Sequence, residues 1–428
     1  MASSSLRRLL LLLLVVFVST SHSADLPIYH STHHPSTKSA LDSVLLLARS
    51  DPLRLAFLSS KLTSVPIASG QQILQSPSYV LRAAFGSPPQ PFLLTLDTSS
   101  DAAWLPCSPC NLCPSSSPLF LPSSSSSYTP LQCTSPLCTN FKTTISCSSS
   151  ANLTPTPCTY TQSFADSTFT ATLSQDSLRL SPDVIGNYTF GCVNSVSGPS
   201  SNVPKQGLLG LGRGPMSLLS QTGDLYKGVF SYCLPSYKSY YFSGSLRLGP
   251  VGQPRSIRFT PLLKNPHRSS LYYVNVTGIS VGKVHVAVPA GSFAFDPATG
   301  AGTVVDSGTV ISRFTAPIYS ALRDEFRRQV NASSGYSSLG AFDTCFSTDE
   351  VATAPSVTIH MDRLDLVLPV ENTLIHSSAT PLACLAMAEA PANVNAVVNV
   401  LASLQQQNLR VVLDVANSRV GFARELCN

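Results

Sequence analysis

The chain has 428 residues, 43% of them hydrophobic and 11% charged, with a formal net charge of +5. That is enough apolar material for a large core and two or three domains, which excludes a disordered chain. The charge is too dilute for a nucleic-acid footprint, so polyanions are not expected partners.

Arg7-Arg8 precede an apolar block from Leu9 to Val18, and small polar residues including Ser21 and Ser23 come next. Residues 1–23 therefore read as a secretory signal peptide. The block is too short to cross a bilayer comfortably and no other stretch approaches ~20 apolar residues, so no membrane span is expected. Residues 24–69 lack cysteine, carry His30, His33 and His34, and place Leu41, Val44, Leu45 and Ala48 at helical spacing. They read as an amphipathic spacer or as a removable pro-segment, the chain's own inhibitor, whose histidines charge in acid and loosen it from a cleft.

From about Gln71 onward, short runs rich in Val, Leu, Thr, Tyr and Phe alternate with Gly, Pro and Ser, as in Tyr79–Phe85, Tyr272–Thr277 and Arg410–Val415. This pattern predicts a mainly β fold. A helix is expected from Ala316-Pro317, where a first-turn proline precedes Ile318, Leu322, Phe326 and Val330 at four-residue spacing.

Twelve cysteines, all beyond the signal peptide, suit an oxidising compartment and up to six disulfides. Seven of them, at 107, 110, 113, 133, 138, 147 and 158, flank the serine-rich stretch Ser115–Ser127, which reads as a disulfide-stapled surface insertion. A metal or iron–sulfur site at Cys107-x2-Cys110-x2-Cys113 is the alternative. Asn152, Asn187, Asn275 and Asn331 head glycosylation tripeptides.

Two copies of one pattern carry the chemistry: Leu94-Thr95-Leu96-Asp97-Thr98-Ser99-Ser100 and Thr303-Val304-Val305-Asp306-Ser307-Gly308-Thr309. In each, an apolar strand-like run delivers one Asp into a turn of small hydroxyl residues. Two carboxyls brought together share a proton, because like charges ~3 Å apart cannot both ionise, and the pair then offers one acid and one base. Neighbouring hydroxyls can donate to the outer carboxylate oxygens, and a glycine lets a backbone N–H approach closely.

Other candidates fail on context. Asp343 and Asp414 resemble half of such a turn but lack the following Gly or second hydroxyl. Gly278-Ile279-Ser280-Val281-Gly282 fits a serine-hydrolase elbow, yet β-like runs lie on both sides, so a hairpin turn is expected. Gly210-x-Gly212-x-Gly214 lacks the Lys-Ser/Thr of a phosphate loop and reads as a glycine-permitted turn. No pair of histidines with metal-ligand spacing lies within an expected helix, and the His30-to-His34 group falls in the expected pro-segment, so no catalytic metal and no cofactor are expected.

The chain resembles the pepsin-type aspartic proteases, most closely the atypical, cysteine-rich plant branch that includes the nepenthesins and the chloroplast nucleoid protease relatives. The likeness runs from about Tyr79 to Cys427. It rests on the two Asp turns, Trp104 seven residues after Asp97, Gly207-Leu208-Leu209-Gly210-Leu211-Gly212, and the stretch from Gln405-Gln406-Gln407-Asn408 to Arg419-Val420-Gly421-Phe422-Ala423.

The resemblance implies an all-β, bilobal fold, with an N-terminal lobe over 70–255 and a C-terminal lobe over 256–428, each giving one catalytic Asp to a central cleft. Asp97 and Asp306 carry over as the pair, Thr98 and Ser307 as the hydroxyls that cross-brace the turns, Ser100 and Thr309 as those that bond the carboxyls. A β-hairpin flap carrying Phe164 in place of the usual Tyr would close near Trp104, with Tyr160 as the alternative. Cys345 with Cys384 is the disulfide the likeness favours. Ser99 stands where the family has Gly, a strain of about 1 kcal/mol if φ must be positive, and Ala402 replaces a second-lobe Gly.

By this resemblance the chain is expected to be a secreted plant aspartic endopeptidase made as a zymogen, monomeric, acting on polypeptide substrates in the apoplast, with vacuole and plastid as other addresses. A protease-fold binding or inhibitor-like protein with little turnover is the alternative.

Overall fold

The computed structural model describes residues 62–427, except 115–116, 140, 142–143, 148–155, 165, 200–202, 255 and 392–397. The expected signal peptide, Asn152 and all but the end of the expected pro-segment lie outside the described residues. The described part belongs to one unit, Ser60–Asn428.

The fold is mainly β, as the alternation of branched and aromatic runs with turn residues dictates. One 20-stranded sheet system dominates, with two four-stranded sheets beside it. The strands that position the site are β1 (Thr63–Ser69), β2 (Tyr79–Phe85), β3 (Gln90–Asp97), β4 (Trp104–Asn111), β5 (Thr159–Phe164), β6 (Ser167–Leu180), β7 (Asp183–Ser197), β8 (Leu208–Gly210), β9 (Val229–Cys233), β10 (Gly244–Leu248), β11 (Arg258–Leu263), β12 (Gly302–Val305), β13 (Ser312–Phe314), β14 (Val398–Leu401), β15 (Leu409–Asp414) and β16 (Arg419–Arg424).

One supersecondary unit occurs twice. In the first half β3 runs parallel to β8, with Gly210 opposite Asp97, and β8 pairs antiparallel with β4. In the second half β12 runs parallel to β14, with Leu401 opposite Val305, and β14 pairs antiparallel with β13. Each Asp thus leaves the end of a buried strand at the same point of an equivalent frame. Both delivering strands are buried on two sides, which explains their near-continuous apolar text.

The two halves are not separable sheets. β15 pairs with β9 and β16 with β11, so strands from both sides of residue 255 share one sheet. A disulfide from Cys233 to Cys427 ties the same junction. β1, at the end of the expected pro-segment, is hydrogen-bonded to β10 on one edge and to β2 on the other, with Val65, Ile67 and Ala68 buried.

Helix α1 spans Ala316–Val330 with Pro317 in its first turn and Asn331 as a left-handed C-cap. Ile318, Leu322, Phe326 and Val330 are its buried face, so it starts two residues beyond β13 and packs against the second Asp strand's sheet. All twelve cysteines are bonded: Cys107–Cys192, Cys110–Cys113, Cys133–Cys147, Cys138–Cys158, Cys233–Cys427 and Cys345–Cys384. The serine-rich segment is accordingly flanked by four staples within the first half. Asn187, Asn275 and Asn331 are exposed.

Candidate active site

The two Asp turns meet, and their contacts are reciprocal. The Thr98 N–H donates to Ser307 Oγ at 3.2 Å, and the Ser307 N–H donates to Thr98 Oγ1 at 2.9 Å. Ser307 Oγ continues to the Leu96 carbonyl at 3.4 Å, while Thr98 Oγ1 donates to Asp306 Oδ1 at 3.1 Å. Hydrogen bonds buried in this way are geometrically demanding, so they lock the two turns to each other.

Each carboxyl is then oriented by its own turn. Asp306 Oδ1 accepts from the Gly308 N–H at 3.1 Å, and its Oδ2 accepts from the Thr309 N–H at 2.9 Å and hydroxyl at 2.6 Å. Asp97 Oδ2 accepts from the Ser100 hydroxyl at 2.7 Å. Asp97 Oδ1 accepts both the N–H and the hydroxyl of Ser99, each at 2.7 Å. Asp97 is 5% and Asp306 8% exposed, so both carboxyls are largely withdrawn from water yet still open to the cleft.

Burial, and then the charge of Asp97 beside it, push the Asp306 carboxyl up from its ordinary value of 3.8 to about 6, against the lowering effect of its donors. The pair is a coupled one, and the direction follows from two like charges in a poorly solvated site. It can hold one proton in mildly acidic solution, as water activation by an acid and a base requires.

Ser99 lies outside the left-handed backbone region, so the expected strain from its missing glycine is absent. Gly308 is the glycine that geometry demands: a Cβ there would lie 2.7 Å from Asp97 Oδ1. Gly210, Gly212 and Gly214 do not adopt positive φ either, which corrects the expectation of a turn needing glycine freedom. They are small because Ser100 and Asp101 press against them; a Cβ on Gly210 would meet the Asp101 carbonyl oxygen at 2.1 Å. At the matching point of the other half, Ala402 is fully buried and its N–H donates to Ser312 Oγ at 2.9 Å.

β5 and β6 form the hairpin over the cleft, paired from Thr159–Thr172 to Phe164–Ser167 at its tip. Phe164 meets Trp104 edge-on at 6.0 Å between ring centroids. Among the described residues the Trp104 indole N–H has no hydrogen-bond partner. Tyr160 is buried deeper, against Phe141 and Phe169, with its hydroxyl toward Gly191, and does not take the tip position. Phe164→Tyr is expected to give the indole N–H an acceptor. Because Trp104 is the chain's single tryptophan, the variant's emission shifts to the red and KM falls about two- to fivefold, from about 1 kcal/mol of flap stabilisation; unchanged emission and KM would contradict this.

A recess of about 380 Å³ opens beside Asp97, lined by Ser99, Ser100, Ala102, Phe141, Met216 and Arg268 among others. A wider hollow of about 510 Å³ in the second half, around Val286–Phe293, is more open to solvent and contains neither carboxyl. Sequence reasoning missed two supports of the pair. The Gln406 side-chain amide donates to the carbonyls of Asp306 and Leu401, and accepts from the Tyr232 hydroxyl at 2.5 Å. Asp101 accepts from the Gly214 N–H and the Ser270 hydroxyl, joining the halves beside the cleft. The run Gln405-Gln406-Gln407 beside apolar residues was the available signal for the first.

Asp343 and Asp414 serve structure: Asp343 accepts from Tyr319 and Arg323, and Asp414 from Asn417 and Arg419. Ser280 Oγ lies 2.7 Å from His360 Nε2, and His360 Nδ1 lies 2.7 Å from Asp365 Oδ1, the distances of a serine-hydrolase relay. Ser280 sits within the strand Val276–Val281, just before the Gly282 hairpin turn, and is paired on both sides with His285 and Thr358. Among the described residues no strand-to-helix turn presents an oxyanion site beside it, and Asp365 is exposed. A fluorophosphonate probe is expected to leave Ser280 unlabelled; stoichiometric labelling would reverse that assignment.

The family models described as xylanase inhibitor N-terminal and C-terminal match residues 79–250 and 271–424. Aspartyl protease 25 of Oryza sativa subsp. japonica is 66% identical over 95% of both chains. Aspartyl protease AED3 of Arabidopsis thaliana is 56% identical over 91% of this chain and 87% of its own. Aspartic proteinase nepenthesin-1 of Nepenthes gracilis is 34% identical over 82% and 78%. In fold, the chain is similar to the solved basic 7S globulin from soybean, with a TM-score of 0.67 at 22% identity over 85% of this chain and 96% of that one.

The fold is that of the bilobal, pepsin-like proteins. The chain belongs to the plant pepsin-like aspartic proteases and is an aspartic-type endopeptidase.

Proposed function

We propose that this chain is a secreted plant endopeptidase, made as a zymogen, that hydrolyses peptide bonds by activating water between Asp97 and Asp306. The observation that carries this reading is the mutual locking of the two Asp turns through Thr98 and Ser307, with every carboxyl oxygen oriented by a donor. Asp97 as carboxylate takes a proton from the water, whose oxygen attacks the scissile carbonyl carbon. Asp306 gives its proton to the carbonyl oxygen; the resulting tetrahedral diol collapses when Asp97 passes its new proton to the amide nitrogen, the C–N bond breaks, and a diol hydroxyl returns a proton to Asp306. Phe164 and the hairpin cover the substrate and keep bulk water out.

Secretion rests on the leader-like residues 1–23 and on six disulfides, which suit an oxidising compartment. Among the described residues, no helix is long and apolar enough to cross a membrane. The apoplast is the proposed address. We propose processing before Thr63 rather than at residue 69; the support is that β1 is bonded on both edges, so its removal would strip two strands of partners. The inhibitor-like alternative draws on the descriptions of the two family models, but an inactive scaffold has no need of a complete donor set around both carboxyls.

The test is casein hydrolysis by the secreted protein at about pH 4, with N-terminal sequencing of the active form. We expect cleavage blocked by pepstatin and an N-terminus between Asp25 and Thr63. No cleavage by that form, or cleavage indifferent to pepstatin, would overturn the mechanism. An active form beginning at Asp25 itself, or beyond Ser69, would overturn the processing scheme.

A further inference from the structure

The two carboxyls differ in their donors, most plainly at the oxygen that each turn holds through the N–H two residues after its Asp. By the repeat, Ser99 and Gly308 stand at equivalent points, each two residues after its Asp and each donating its N–H to that Asp's Oδ1. Gly308 has no side chain and Ser99 has a hydroxyl, which donates a second bond to Asp97 Oδ1 at 2.7 Å. Asp97 Oδ1 faces the partner turn, since the position of a Cβ on Gly308 lies only 2.7 Å from it. The added donor therefore reaches the oxygen of Asp97 that faces the Asp306 turn.

We propose that Ser99 is a positioning residue whose hydroxyl holds Asp97 as the carboxylate and leaves the shared proton on Asp306, fixing which partner is base and which is acid. The proposal rests on the mechanistic reading above for its consequence in catalysis, but not for the protonation itself. A donor stabilises the ionised form of the carboxyl it touches, so the Ser99 hydroxyl favours the carboxylate at Asp97. Asp306 takes its close donors, the N–H and hydroxyl of Thr309, on Oδ2; on its Oδ1 the Gly308 N–H and the Thr98 hydroxyl both stand at 3.1 Å, against two donors at 2.7 Å on Asp97 Oδ1.

The neighbouring charges do not account for such a bias. Across the pair stands Asp306. Asp101, further along the same turn, is engaged by Gly214 and Ser270. Arg213 donates to the carbonyls of Leu263 and Leu271. His267 and Arg268 are exposed at the wall of the recess, and Tyr232 reaches the Asp306 turn only through Gln406.

The experiment follows the carboxyl 13C shift of Asp97 against pH in aspartate-labelled full secreted protein, assigned with Asp97→Asn, for wild type, Ser99→Ala and Ser99→Thr. The lower inflection is expected to rise by about one pH unit in Ser99→Ala and to return to the wild-type value in Ser99→Thr. The acid limb of the casein-hydrolysis profile moves by the same amount. Superimposable titrations in all three proteins would overturn the proposal. Failure to hydrolyse casein at any pH would instead count against the mechanistic reading, because the titration reads the proton with or without turnover.

Discussion

Asp306→Asn is expected to lower the casein-hydrolysis rate at least about 10³-fold while making the folded chain more stable near neutral pH. The first effect follows from the proposed mechanism, in which Asp306 is the proton donor of the pair. The second follows from linkage. In the folded state burial and Asp97 raise the Asp306 carboxyl to about 6, whereas in the unfolded chain it returns to its ordinary value of 3.8. Between those values the folded state holds more protons than the unfolded one, so stability falls as pH rises through the window.

Above pH 6 the carboxyl is charged in both states, and the folded state bears a penalty of up to about 3 kcal/mol relative to its protonated form. Asparagine cannot ionise and escapes it. Denaturant unfolding of wild type and variant at pH 4, 5, 6 and 7 reads the difference, which widens with pH in favour of the variant. A difference constant across the series would mean that Asp306 is not raised. An active variant would mean that Asp97 works without it.

Gly308→Ala is expected to cost at least about 10² in rate with the fold retained. The new methyl would sit 2.7 Å from Asp97 Oδ1 and 3.0 Å from its carboxyl carbon. Asp97 cannot retreat, being held by Ser99 on one oxygen and Ser100 on the other. The turns must therefore move apart by a few tenths of an ångström, and a catalytic pair tolerates such misplacement poorly. Stability falls by about 1–3 kcal/mol, as for other overpacked sites. Gly223→Ala is the control, since nothing lies within 4 Å of its added Cβ and its φ needs no glycine. Wild-type kinetics in Gly308→Ala would show that the two turns have room to spare between them.

Much of this site was legible because its parts are local. An apolar strand ending in Asp-Thr-Ser-Ser or Asp-Ser-Gly-Thr states both the burial of the strand and the donors for the carboxyl within four residues. The helix after the second turn was legible for the same reason, since four-residue spacing and a first-turn proline are written in consecutive text. The Gln406 support was not: its partners, the Tyr232 hydroxyl and the Asp306 carbonyl, lie 174 and 100 positions away. Nor was the reason for three glycines after Leu209, which is set by the backbone of Ser100 and Asp101 and the Asp101 carboxyl pressing on them and not by their own torsions.

Ser99 shows where the boundary falls. Its departure from the Asp-x-Gly pattern is plain in the sequence, where it implies strain beside a catalytic group. The tertiary structure gives it an unstrained backbone and turns its hydroxyl onto the carboxylate, changing a suspected defect into an added donor. By itself the sequence determined the β character, the cysteine-rich class, the two acids and the hydroxyls that accompany them, because periodicity and turn chemistry act over a few residues. Only the tertiary structure decided that Thr98 and Ser307 exchange hydrogen bonds across 209 positions, that β1 belongs in the sheet, and which oxygen each donor reaches. Those relations depend on closing long loops around a common core, and no local pattern encodes the geometry of that closure.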